Sequence, residues 1–64
     1  MDSLQSYKAE IPKIEMVESC GEWFVRVTEK DGHSYTRTFE HKDHAFSFAE
    51  GQMARLGLDE IMRI

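Results

Sequence analysis

Two histidines three residues apart, His41 and His44, are the first residues that could do chemistry. Imidazoles at that spacing share a helical face. Asp43 lies between them and Glu40 just before, and Cys20 or His33 could complete a tetrahedral metal site. The spacing matches no strong zinc motif, and Cys20 has no second cysteine two to four residues away. Polar residues at a strand–helix junction account for the same histidines, so no metal or other cofactor is expected. Cys20 next to Ser19 is the second candidate, since a thiolate paired with a histidine is a nucleophile. No nucleophile-elbow glycine pattern surrounds either residue. A chain of 64 residues also has little room for a pocket that buries most of a substrate. The four glycines, at 21, 32, 51 and 57, are dispersed and form no phosphate cradle at a helix start. An enzyme is therefore not expected.

The constellation with most to offer is a pair of neighbouring strands. From Trp23 to Glu29, the residues Trp23, Val25 and Val27 alternate with Phe24, Arg26 and Thr28, the period-two signature of a half-buried strand. The run His33–Glu40 carries Tyr35 and Phe39 in one phase and Thr36 and Thr38 in the other. Asp31-Gly32 between them signals a hairpin with a type I′ turn. With the aromatic and valine phase turned inward, Phe24, Arg26, Thr28, Thr36 and Thr38 form an outward recognition face. Arg37 falls in the inward phase, so it sits at an edge and snorkels, or a bulge shifts the register beside it.

The remaining elements must hold that hairpin in place. Pro12 cannot donate to a ladder, so a strand is expected to begin after it. Lys13 to Glu18 then reads as that strand, with Ile14 and Met16 on one side, Glu15 and Val17 on the other, and a turn at Cys20-Gly21-Glu22. Ala45, Phe48, Ala49, Met53 and Leu56 recur at helical steps, with Phe46 flanking the stripe. His41 or Asp43 caps the helix, and Gly57 followed by Leu58 predicts a Schellman ending. Gly51 costs about 1 kcal/mol inside a helix. It either relaxes the helix or lets a strand approach closely. The apolar tail Asp59–Ile64 is open between a fourth strand, a short helix and a docking segment. The fold class is thus α+β: a three-stranded antiparallel meander packed on one helix, with a short C-terminal element. Its inward set is Ile14, Met16, Trp23, Val25, Val27, Tyr35, Phe39, Ala45, Phe48, Ala49, Met53 and Leu56, joined by Leu58 and Ile61.

The length suits one domain, with residues 1–10 as a loose leader. Twelve acidic residues against eight basic give a net charge of −4, which works against non-specific nucleic-acid binding. The segment from Glu22 to Lys42 is balanced, however, with four bases and four acids. A lone cysteine argues against an oxidised secreted scaffold. The polar start Met1–Ser6 is not expected to act as a signal peptide, and no apolar run approaches roughly 20 residues. A cytoplasmic protein that does not engage membranes is expected, one that binds another protein or its own copy.

The residues Glu22–Val27, Asp31-Gly32, Tyr35–Phe39 and Ala45 resemble a known small-domain pattern. It is that of the AP2-like, arm-binding N-terminal domains of phage-type tyrosine integrases, and the resemblance covers about residues 21–56. It implies a three-stranded sheet against one helix, with the sheet entering a DNA major groove. On that resemblance Arg26, Thr36, Arg37 and Thr38 would face the groove, with Lys30 and Lys42 near phosphates. The chain departs from the pattern in having fewer strand bases, Phe24 pointing outward and an acidic balance.

Overall fold

The computed structural model describes residues 11–64; the leader expected over residues 1–10 lies outside them. Three antiparallel strands, β1 (Lys13–Ser19), β2 (Glu22–Thr28) and β3 (Ser34–Phe39), lead into one helix, α1 (Lys42–Leu56). A two-residue strand, β4 (Met62–Arg63), then returns beside β1 and runs parallel to it. The sheet order is β3-β2-β1-β4, so the meander-plus-helix reading holds and the tail is a fourth strand.

The core follows directly from strand parity. Ile14 and Met16 lie opposite Val27 and Val25, and all four are fully buried. Against them α1 presents Ala45 and Ala49, four residues apart, with Leu56 at its far end. Two alanines on one stripe let the helix lie close to the valine and methionine side chains. Trp23, Phe39, Phe46, Phe48, Met53, Leu58 and Ile61 pack partly buried around this centre. Tyr35 departs from the expected inward set. It has the inward parity but sits on an edge strand near the end of the helix, and it is 40% exposed. Its hydroxyl donates to Gln52 Oε1 at 3.3 Å.

The turns exchange the expected roles. Cys20 and Gly21 both have positive φ, 55° and 81°, so the type I′ turn joins β1 to β2. At the Asp31-Gly32 hairpin only Gly32 is positive, at 94°. There the Gly32 N–H donates to the Glu29 carbonyl at 3.0 Å and the Glu29 N–H to the His33 carbonyl at 2.6 Å. That is a three-residue loop ending in a glycine bulge, not the expected two-residue type I′ turn. Asp31 Oδ1 accepts the His33 N–H at 2.9 Å and steadies the loop.

The helix begins at His41, whose side chain makes no capping bond, with Asp43 in the first turn. It ends as the sequence predicts. Gly57 has φ 73°, its N–H donates to Ala54 and the Leu58 N–H to Met53, which is the Schellman pattern. Gly51 is exposed, and a Cβ there would meet nothing within 4 Å. Among the described residues no strand approaches it, so of the two alternatives it relaxes the helix. Arg37 takes the edge alternative: the β2–β3 register runs unbroken past it, and its guanidinium lies 5.3 Å from the Phe48 ring centre. Lys42 and Arg63 sit over the Trp23 and Phe46 rings at 5.3–5.7 Å, which ties β4 and the start of α1 to the start of β2. Among the described residues no helix is long and apolar enough to cross a membrane.

Candidate functional site

The sheet face away from α1 is built by the residues of opposite parity. The two-residue turn at Cys20-Gly21 sets Ser19 against Glu22, and from there Val17 falls opposite Phe24 and Glu15 opposite Arg26. On the other side β3 brings Thr36 beside Arg26 and Thr38 beside Phe24. The parallel pairing of β4 sets Met62 beside Glu15, and Ile64 donates its N–H to the Met16 carbonyl at 3.0 Å. Glu15, Val17, Phe24, Arg26, Thr36 and Ile64 together line a shallow depression of about 270 Å³. That volume suits a single large side chain.

Its electrostatics are nearly self-cancelling. The Glu15 side chain is only 17% exposed; Arg26 Nη1 lies 3.8 Å from its Oε1, and Lys13 Nζ lies 3.7 Å from its Oε2. Oε1 has no hydrogen-bond partner among the described residues, and both contacts exceed hydrogen-bonding distance. Arg26, in contrast, is 61% exposed. The depression therefore offers apolar walls, one mobile-stemmed cation at its rim and a carboxylate sunk beneath it. Around it, Met62 and Ile64 are exposed large apolar side chains. Such an arrangement can take up an apolar side chain and orient it with a polar contact to Arg26 or Thr36. It contains no nucleophile–base pair.

Of the six candidate residues, five from the outward phase and Arg37 from the resemblance, four share the outer face: Phe24, Arg26, Thr36 and Thr38. Thr28 has the right parity but is 7% exposed, in a crevice lined by Ile11, Lys13 and Arg26. Arg37 lies on the opposite face over Phe48, as its parity requires and contrary to the groove-facing role implied by the resemblance. Sequence reasoning missed Glu15, Val17 and Ile64. The first two were accessible from register, because a two-residue turn after Ser19 fixes their partners. Nothing local marks Ile64.

A second, larger hollow of about 620 Å³ opens between the β2–β3 turn and the end of α1. Two of its ionisable pairs, Glu29–Arg55 and Asp31–His33, are engaged internally. Arg55 donates to both Glu29 oxygens, at 3.1 and 2.6 Å, and also to Gln52 Oε1. The Arg55 hydrogen bond holds the Glu29 carboxyl below its ordinary value, and the same bond raises Arg55. The His33 backbone N–H likewise lowers Asp31. This network links helix to hairpin.

The other candidates do not assemble. His41 and His44 meet edge-to-face with ring centres 5.4 Å apart. Among the described residues no third His, Cys, Asp or Glu joins such a pair to form a metal-binding group. Cys20 is exposed at a hairpin tip, with the Ser19 hydroxyl 3.9 Å from its sulfur. No protein-family model, curated protein or solved structure matches the chain.

Proposed function

We propose that the chain is a small, non-enzymatic binding module whose outer sheet face engages a protein partner. One observation carries this reading: Val17, Phe24, Met62 and Ile64 cluster on the face that α1 does not cover, around an ion pair that nearly neutralises itself. Apolar side chains gathered about a few orienting polar groups characterise protein-binding surfaces. None of them belongs to the buried core cluster.

A second reading, a nucleic-acid-binding domain of the integrase-like kind, draws support from the meander-plus-helix architecture. Arg26, Thr36 and Thr38 also share one accessible face. Two features weigh against it: Arg37 is turned to the helix, and Glu15 lies beneath Arg26, where a phosphate or base edge would be expected.

The test compares proteins retained by the native chain with those retained by a V17S/F24S variant. Any candidate lost with the variant is then titrated, purified, into the labelled native chain. Amide shifts at Val17, Phe24, Arg26, Thr36 and Ile64 are expected. Binding that leaves all five unmoved overturns the proposal. Shifts at Arg26, Thr36 and Thr38 on adding duplex DNA at low salt would transfer the assignment to the second reading.

A further inference from the structure

The open edge of the sheet goes beyond the outer face. Strand β3 lies at the end of the sheet order and has a single strand neighbour, β2, among the described residues. Which of its backbone groups point away follows from the alternation of an antiparallel ladder. The Glu29 N–H to His33 carbonyl bond makes that a hydrogen-bonded pair. Counting along the register, Tyr35, Arg37 and Phe39 turn their backbone groups toward Val27, Val25 and Trp23. Ser34, Thr36 and Thr38 therefore turn theirs outward. The other hairpin gives an independent check: its two-residue turn makes Ser19–Glu22 a bonded pair, so Phe24 and Arg26 bond to β1, leaving Val25 and Val27 for β3.

The edge itself is suited to receive a strand. Five of its six residues, Ser34 to Thr38, are exposed, and the run Ser-Tyr-Thr-Arg-Thr-Phe contains no proline or glycine and one charge. An inward-facing charge often guards such an edge. Here Arg37 lies back over Phe48, leaving the backbone line open. The occupant is decided by which registers a second copy of β3 can adopt. A two-fold antiparallel pair must place one residue opposite its own copy. Centring on Arg37 would oppose two guanidiniums. Centring on Tyr35, Ser34 or Thr38 shortens the overlap. Centring on Thr36 pairs five of the six residues, Ser34 to Thr38: the two copies of Thr36 exchange both backbone bonds, and Ser34 meets the copy's Thr38. On the helix side Arg37 comes opposite the copy's Tyr35, a cation beside an aromatic ring instead of beside its like.

We propose that two copies of this chain pair antiparallel along β3, centred on Thr36, to give one continuous eight-stranded sheet. Its outer face carries both copies of the Phe24 depression. Sedimentation of the native chain should show mass rising with concentration from 7.5 kDa toward twice that value. Variants T36K and T36E should each stay monomeric where the native chain dimerises, because each sets like charges opposite one another. Mixing them one to one should restore the dimer at lower concentration than the native chain needs. Amide exchange gives a readout that tolerates a variant folding poorly. In the native chain, protection of Ser34, Thr36 and Thr38 should grow with concentration while that of Tyr35 and Arg37 stays constant. A native chain monomeric at all concentrations overturns the proposal, as does T36K dimerising as readily as the native chain. Concentration-dependent shifts confined to Val17 and Phe24 would overturn it too, while supporting an outer-face interaction.

Discussion

The two faces of the sheet share the same strands and differ in what organises them. The helix-facing side holds Ile14, Met16, Val25 and Val27, all without solvent exposure, under a helix whose small residues fit between them. The outer side holds Val17 and Phe24 half-buried, beside Met62 and Ile64 exposed, with charges arranged around them. Burial explains the first set completely. It explains the second only in part, since Met62 and Ile64 stay exposed. Apolar residues clustered at the surface are informative about contact with something else.

The largest expected effect lies on the inner face. Ile14→Ala should cost about 2–5 kcal/mol by lost burial and the cavity left behind. A chain of 64 residues commands only about 3–10 kcal/mol in all, so urea titration should find the variant largely or wholly unfolded. A loss under about 1 kcal/mol would mean the two faces are not energetically distinct. Next come two glycines of the same helix, with opposite signs. Gly57→Ala must place a Cβ at φ 73° and should cost about 1–2 kcal/mol. Gly51→Ala is unobstructed and should gain up to about 1 kcal/mol. Thermal melts of the pair would show the helix to be tuned at its end and slack at its middle. The smallest effect is in pH dependence. Because Glu29 titrates lower in the folded chain than unfolded, its contribution is complete above the ordinary glutamate range, near pH 4 to 4.5. It is lost as pH falls through the lowered folded value. Glu29→Gln should therefore flatten the acid limb of the stability curve and leave the neutral plateau nearly level. An unchanged acid limb would remove the Arg55 clamp from the energetics.

What was legible in the sequence was whatever parity governs. Trp23, Val25 and Val27 declare their face within one strand, and Ala45, Ala49 and Leu56 declare theirs within one helix. The Gly57 ending was equally readable, because the left-handed residue and its two backbone bonds are local. Edges and distant pairings were not. Tyr35 has core parity but sits where the sheet runs out, and Thr28 has surface parity but lies under Ile11 and two long basic stems. The turn types exchanged places because Cys20 occupies a left-handed position that residue preference would assign to Asp31. For the candidate site, Phe24, Arg26, Thr36 and Thr38 were found by alternation. Arg37 was drawn in by resemblance and excluded by the same alternation. Ile64 was out of reach, since a parallel partner is chosen by tertiary geometry.

That parallel seam has a kinetic consequence. Glu15 meets Met62 across 47 positions of chain, whereas the three meander strands join through short turns. Closing so long a loop is entropically dear for the few bonds gained, so β4 should dock after the meander and helix have formed, and be first to peel away. Hydrogen exchange would register the order: the Ile64 amide should swap its proton well ahead of those of Val25 and Val27, under conditions where the rest of the sheet stays shut. Each such opening would bare the flank of β1 and remove one wall of the Phe24 depression, making the breadth of that hollow a fluctuating property of the folded chain.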